Sequence, residues 1–189
     1  MAFEDYKSKP SVVIVYTGEG KGKTSAALGL LARALGNRWQ VAFIQFIKYW
    51  GVGEHVFLRD IQPIYKDQLH FYRGGRGFYK AGDLSEQHIS EEQHQQAALA
   101  TYKEALRCAT SGEFELVICD EINNALNDGL ITEKQLTDLI AQRNPATSLC
   151  FTGRDFPKKL LKKVDIATDM TKLKHHFDNK FLANKGIDF

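Results

Sequence analysis

Cysteine is scarce in this 189-residue chain, and what little there is does not pair. Cys108, Cys119 and Cys150 are scattered and odd in number, which excludes a disulfide-stapled scaffold. Two of them sit inside apolar runs, so buried thiols in a reducing cytoplasm are expected. Zinc spacing is also missing: His88 and His94 stand six residues apart and would not share a helical face. Net charge is small, a formal +2, which argues against nucleic acid and against a membrane surface as partners. No apolar run approaches the ~20 residues needed to cross a bilayer. Met1 to Tyr6 lacks the basic and apolar regions of a secretion signal. There are no internal repeats, low-complexity tracts or linkers. A hydrophobic content of 43% and a charged content of 25% are those of an ordinary globular protein. The expectation is a polar arm over residues 1–11 and a single domain over 12–189.

The strongest positive signal is Gly18-Glu19-Gly20-Lys21-Gly22-Lys23-Thr24. It follows the apolar run Val12 to Tyr16 and precedes a helical pattern from Ser25 to about Gly36. A strand, a glycine-rich turn ending in Gly-Lys-Thr and a helix form the context of a phosphate-binding loop. The glycines let successive backbone N–H groups curl around an anion, and the helix adds the positive end of its dipole. Lys23 would reach the outer phosphates and the Thr24 hydroxyl would join a Mg²⁺ shell. Thr17 stands where the usual pattern has its first glycine. The helix carries an apolar stripe of Ala27, Leu30, Leu31, Ala34 and Leu35, and Arg33 lies on another face. It is either an exposed helix charge or a group reaching a bound nucleotide.

Val41 to Ile47 reads as a buried parallel strand, followed by Lys48, Gly51, Gly53 and Glu54. The carboxyl ends of parallel strands carry ligand-binding loops, which raises the interest of Lys48 and Glu54. Leu69 to Tyr72 is a short strand opening into a loop, 73–83, that holds four glycines, three bases, Phe78 and Tyr79. Those rings either pack back on the domain or cover a ligand; arginines beside aromatics would also suit single-stranded nucleic acid, against which the near-neutral charge argues. Ser90-Glu91-Glu92-Gln93 is a capping box that starts a long helix near Glu91, and Gly112 stops it. The second strong signal is Leu116-Val117-Ile118-Cys119-Asp120-Glu121, an apolar strand ending in two carboxylates. A Mg²⁺ between phosphates and Asp120 accounts for charge at the end of a buried strand. Glu121 would hold a metal-bound water or polarise an attacking group. A helix from Thr132 to Arg143 leads past Pro145 to a strand, Ser148 to Thr152, which points Arg154 at the same rim as a phosphate clamp or a solvated turn residue. Pro157 to Lys163 reads as a short basic helix, Val164 to Met170 as an edge strand, and 171–189 as a basic tail. The expected fold class is α/β, a P-loop NTPase-like (RecA-like), mostly parallel sheet with flanking helices.

The guanine-reading Asn-Lys-x-Asp and the switch motif Asp-x-x-Gly are both absent, so ATP is the expected nucleotide. A small-molecule phosphotransferase and a non-catalytic ATP-sensing module are the alternatives that the residues leave open. From about Val12 to Phe189 the chain resembles the ATP:corrinoid adenosyltransferases. The match rests on Thr17 to Ala27, Gln45-Phe46-Ile47-Lys48 with Gly53-Glu54, and Gly77-Phe78. It continues with Asp120-Glu121, Thr152-Gly153-Arg154, Lys174-His175-His176-Phe177-Asp178 and the terminal Gly186-Ile187-Asp188-Phe189. The family's loop also has threonine at the position of Thr17.

The resemblance implies that a cobalt(I) corrinoid attacks the ribose 5′ carbon of ATP and that triphosphate leaves whole, in adenosylcobalamin synthesis or salvage. Lys23, Glu121, Phe78 and Tyr79 would be catalytic. Gly18, Glu19, Gly20, Lys21, Gly22, Lys23, Thr24, Ser25, Arg33 and Arg154 would bind ATP. Thr24, Asp120 and Glu121 would hold Mg²⁺ or Mn²⁺. The aromatic loop would exclude the corrinoid's lower axial ligand. A flavodoxin-type electron donor and a homodimer are further implications. The sequence departs from the family at Lys80, where many relatives have Trp, and at Tyr49, where Gly is common.

Overall fold

The computed structural model describes residues 5–48, 51–75 and 89–188. Expectations resting on Phe78, Tyr79, Lys80 and Tyr49 lie outside the described residues. Among the described residues, six strands form one sheet: β1 (Val13–Thr17), β2 (Val41–Gln45), β3 (Leu69–Arg73), β4 (Leu116–Asp120), β5 (Ser148–Thr152) and β6 (Ile166–Asp169), in the order β3-β2-β4-β5-β1-β6. Every pairing is parallel, so the sheet is more uniform than the mostly parallel one expected from sequence. The helices are α1 (Lys23–Gly36), α2 (Gly53–Ile61), α3 (Glu91–Ser111), α4 (Ile122–Asn127) and α5 (Glu133–Gln142).

Period-two alternation divides the apolar residues between the two faces of the sheet. Val13, Val15, Ala42, Ile44, Val117, Cys119, Leu149 and Phe151 join a core built with α3, α4 and α5. Ile14, Val41, Phe43, Leu116, Ile118 and Cys150 face the other way, onto α1 and α2. Burying each large side chain contributes roughly 1.5–3 kcal/mol. Covered on both faces, these strands have no solvated side, and this is why they read as nearly continuous apolar runs. The three cysteines are buried free thiols within these cores.

The long helix α3 begins at the expected capping box, with the Gln93 N–H donating to the Ser90 hydroxyl and the Gln93 side chain accepting from the Ser90 N–H. Thr132 and Gln135 do the same for α5. Three local readings change. The basic stretch before β6 is a 3-10 turn, Lys158–Lys163, with only Leu160 buried, too little apolar surface to hold a regular helix. Helices α2 and α4 are additional to the elements read from sequence; both are short, and α4 starts from Glu121 in a left-handed conformation with no side-chain cap to announce it. The apolar run after Val41 leaves the sheet at Gln45, although Phe46 and Ile47 stay buried and the Phe46 N–H donates to the Asp120 carbonyl at 3.0 Å.

Because all strands run the same way, their last residues gather along one edge. Thr17, Gln45, Arg73, Asp120, Thr152 and Asp169 are those residues.

Candidate active site

The phosphate loop lies between β1 and α1. Gly22 precedes the helix in a left-handed conformation, and no side chain caps the N-terminus, which leaves the first-turn N–H groups available to an anion. Gly18 has φ +98°, and a Cβ there would come within 2.1 Å of the Asp169 carboxylate and 2.7 Å of the Met170 carbonyl oxygen. Only glycine fits so close an approach. Thr17 is accommodated because it still belongs to the strand, and its hydroxyl accepts the Phe156 N–H at 3.1 Å.

Lys23 lies across this loop. Its ammonium donates to the carbonyls of Gly18 at 2.6 Å and Gly20 at 2.7 Å. Burial and then the nearby Arg154 charge pull its pKa below the usual lysine value. The segment after β6 roofs the loop: the Gly20 N–H donates to the Met170 carbonyl at 2.6 Å, and Lys21 pairs with Asp188 at 2.9 Å. Arg154 lies at the rim as expected, its guanidinium 3.1 Å from the Glu19 carboxylate. Ser25 is exposed in the first turn of α1. Arg33 is not brought to the loop; it is exposed in the last turn of α1, about 15 Å along the axis from Lys23 at 1.5 Å per residue.

Asp120 is fully buried, and its carboxylate collects donors from three elements. Thr24 donates from α1 at 3.0 Å, Thr152 from β5 at 2.7 Å and the Gln45 amide from β2 at 3.0 Å. The other end of the Gln45 amide meets buried His55, which makes His55 Nε2 the protonated ring nitrogen. Burial and the charge of Arg73 lower the His55 pKa, so the ring favours its neutral form.

Glu121 follows in a strained conformation, with φ +60° on a residue that carries a Cβ. Its N–H donates to the Thr152 hydroxyl at 2.8 Å, fixing the turn, while its Oε2 is buried without a hydrogen-bond partner. Burial and the adjacent Asp120 charge push its pKa up to about 7. Lys48 enters from the end of β2. Its ammonium donates to Glu54 at 2.7 Å and lies 3.6 Å from Glu121 and 4.0 Å from Asp120. Burial opposes that charge, but the surrounding carboxylates raise the Lys48 pKa overall.

Lys23, Thr24, Asp120 and Glu121 therefore come together at one edge with Glu19, Lys21 and Arg154 around them. The sequence reading omitted Gln45, His55 and Thr152 as site residues, and it noticed Lys48 and Glu54 without giving them a role. The signal was there for Gln45, a polar residue inside an apolar run. Thr152 belongs to Thr152-Gly153-Arg154, one of the stretches that carry the resemblance, but its partner Asp120 is 32 residues away. For His55 there was no signal, because only the tertiary fold brings its ring to Gln45.

A parallel sheet that carries a glycine loop, Lys-Thr and strand-end carboxylates along one edge defines a P-loop nucleotide-binding protein. The flagellar accessory protein FlaH of Methanocaldococcus jannaschii shares the fold, at a TM-score of 0.52 and 14% identity over 85% of this chain and 71% of that one. The sequence places the chain more narrowly. The model of the ATP:corrinoid adenosyltransferase BtuR/CobO/CobP family matches residues 9–189. A corrinoid adenosyltransferase of Pseudomonas aeruginosa is 30% identical over 184 residues, 97% of this chain and 86% of that protein. One of Escherichia coli K12 is 28% identical over 179 residues, 94% and 85% of the two chains. The chain belongs to the ATP:corrinoid adenosyltransferase family, and it is an enzyme of that class.

Proposed function

We propose that this enzyme transfers the 5′-deoxyadenosyl group of ATP to the cobalt(I) of a corrinoid, cobyrinic acid a,c-diamide or cobalamin, and releases triphosphate as one unit. The cobalt(I) electron pair forms the bond to C5′, the C5′–O bond breaks, and its electrons leave on triphosphate while cobalt becomes formally cobalt(III). The observation that carries this reading is the anion cradle formed by Lys23, the loop N–H groups and the uncapped start of α1. Charge develops on the departing triphosphate, and these preorganised donors stabilise it there. Arg154 adds a positive charge at the rim.

The donor set fits a divalent ion: a threonine hydroxyl and two carboxylates, of which Glu121 keeps its buried Oε2 without a partner. Mg²⁺ or Mn²⁺ held by Thr24, Asp120 and Glu121 would supply further positive charge against the leaving group. Gln45, Thr152 and His55 orient Asp120 for that task.

Phe78 and Tyr79 are proposed to cover the corrinoid face and exclude its lower ligand. The root of their loop supports the placement: a Cβ on Gly75 would come within 2.4 Å of the Ile47 backbone, so the loop departs from beside Lys48. Homodimer formation is supported by the apolar side chains that the tail leaves in solvent, among them Leu173, Leu182 and Ile187. No helix among the described residues is long and apolar enough to cross a membrane; a cytoplasmic location and a flavodoxin-type reductant complete the proposal.

Identification of the phosphate product tests it. With ATP, Mg²⁺ and chemically reduced cobalamin, a light-sensitive adenosylated corrinoid and triphosphate are expected in equal amounts. Formation of ADP without a cobalt–carbon product rejects the reading and favours a phosphotransferase.

A further inference from the structure

We propose that Lys48 is a built-in cation of the metal pocket, which a divalent ion displaces when it binds. The inference rests on the reading above that Thr24, Asp120 and Glu121 hold the metal. The Lys48 ammonium lies within 4.0 Å of all of them: it is 3.4 Å from the Thr24 hydroxyl, 4.0 Å from Asp120 Oδ2 and 3.6 Å from Glu121 Oε1. It is a cation in the midst of the oxygens that the metal needs.

The pocket requires such a charge. Glu54, Asp120 and Glu121 bring three carboxyl groups whose side chains are 13%, 0% and 15% exposed. Desolvated anions at this spacing repel strongly, and an uncompensated buried charge is among the costliest features of a fold. Lys48 lowers that cost, and so keeps the carboxylates converged before any metal arrives.

An ammonium and a divalent ion within about 4 Å of each other repel in turn, because a low-dielectric site screens little. The two cations therefore exchange. Lys48 has somewhere to go: its short bond to Glu54, 2.7 Å, lies on α2, an element separate from those that carry Thr24, Asp120 and Glu121. Pivoting on Glu54, the flexible four-carbon stem carries the charge away from Thr24 and Asp120. Lys48 is thus a positioning residue that acts through the carboxylates. It makes metal binding weak when the protein is alone, and stronger once a polyphosphate adds its own negative charge.

The test uses Mn²⁺ alone, titrated into the full chain without nucleotide or corrinoid and followed by electron paramagnetic resonance. Lys48→Met is expected to bind Mn²⁺ tighter by on the order of tenfold, since the competing cation is gone. Lys48→Arg, which keeps the charge, should stay at or below wild-type affinity. A purely structural role predicts the opposite, because a collapsed pocket binds metal worse. Equal or weaker binding by a folded Lys48→Met protein overturns the proposal. A second measurement covers a variant that does not fold: ¹⁵N-ammonium resonances of the wild-type protein, with Lys48 assigned through Lys48→Arg. The Lys48 signal should move on addition of Mg²⁺, and an unmoved signal overturns the proposal equally. Neither readout involves adenosyl transfer, so failure of the proposed reaction and failure of this exchange are separable.

Discussion

Two clusters of acids and bases lie on this one sheet, and they differ in what they leave over. Near the amino end of β3, His70 meets Glu104 of α3 at 2.7 Å, and Arg107 grips both oxygens of Glu104 at 2.8 and 3.0 Å. Every charge there has a counterpart. The Arg107 bonds hold Glu104 down at about 2, and burial pushes the Cys108 thiol beside it up to about 12. His70, Glu104 and Cys108 place three metal-ligand types within 4.8 Å of one another, but the guanidinium already takes the carboxylate and the thiol stays protonated. At the opposite edge, the Asp120 cluster has more carboxylates than cations, an orphaned oxygen on Glu121 and a strained backbone. A satisfied cluster ties a helix to a strand; an unsatisfied one is held ready for a ligand.

Three substitutions break or sharpen that contrast. The largest effect is expected from Lys23→Ala, which removes the ammonium proposed to face the leaving triphosphate. Adenosyl transfer should fall by about 10²- to 10³-fold with the thermal unfolding midpoint little changed. A loss smaller than tenfold would show that the loop N–H groups do the work alone.

Next comes Glu121→Gln, read as stability against pH without divalent metal. The folded-state pKa of Glu121, about 7, lies above its unfolded value of 4.5. The native state therefore binds the proton more tightly. Its contribution is complete below about pH 4.5 and is lost as pH rises through 7. The glutamine has no charge to bury, so between pH 5 and 8 the variant should gain on wild type by up to about 3 kcal/mol in urea unfolding. A gap constant with pH would rule out the buried carboxylate as its source.

The smallest effect belongs to the satisfied cluster. His70→Ala leaves the Glu104–Arg107 pair in place, and it should cost at most about 1 kcal/mol in urea unfolding. Adenosyl transfer should stay within about twofold of wild type, as befits a partly exposed pair. A large loss of transfer would make the two clusters one coupled system.

Legibility in the sequence follows the range of the interaction. The phosphate loop is local: its glycines, Lys23 and Thr24 are neighbours in the chain, and the flanking strand and helix carry their own periodicities. The capping boxes at Ser90 and Thr132 close over four residues, and both are present. Gln45 and Asp120, by contrast, are 75 residues apart and become register partners only when β2 pairs with β4. The Thr152 hydroxyl reaches Asp120 across the next strand pairing. The helix carrying Glu54 and His55 is nine residues long, too short for its period to be distinctive. Arg33 shows the reverse limit, for a position on a helix face says nothing of how far along the axis a ligand lies.

The sequence by itself determined the nucleotide loop, the parallel α/β class and the family. These rest on contiguous residues whose spacing imposes a backbone shape, and on an ordered set of such stretches. Only the tertiary structure decided which acids stay unpaired, that Lys48 stands among the oxygens of Thr24, Asp120 and Glu121, and that Asp188 closes on Lys21. Charge balance is a property of a place rather than of a stretch of chain. It comes into being when strands far apart in sequence end side by side out of water, where each missing partner costs free energy and each supplied one lowers it.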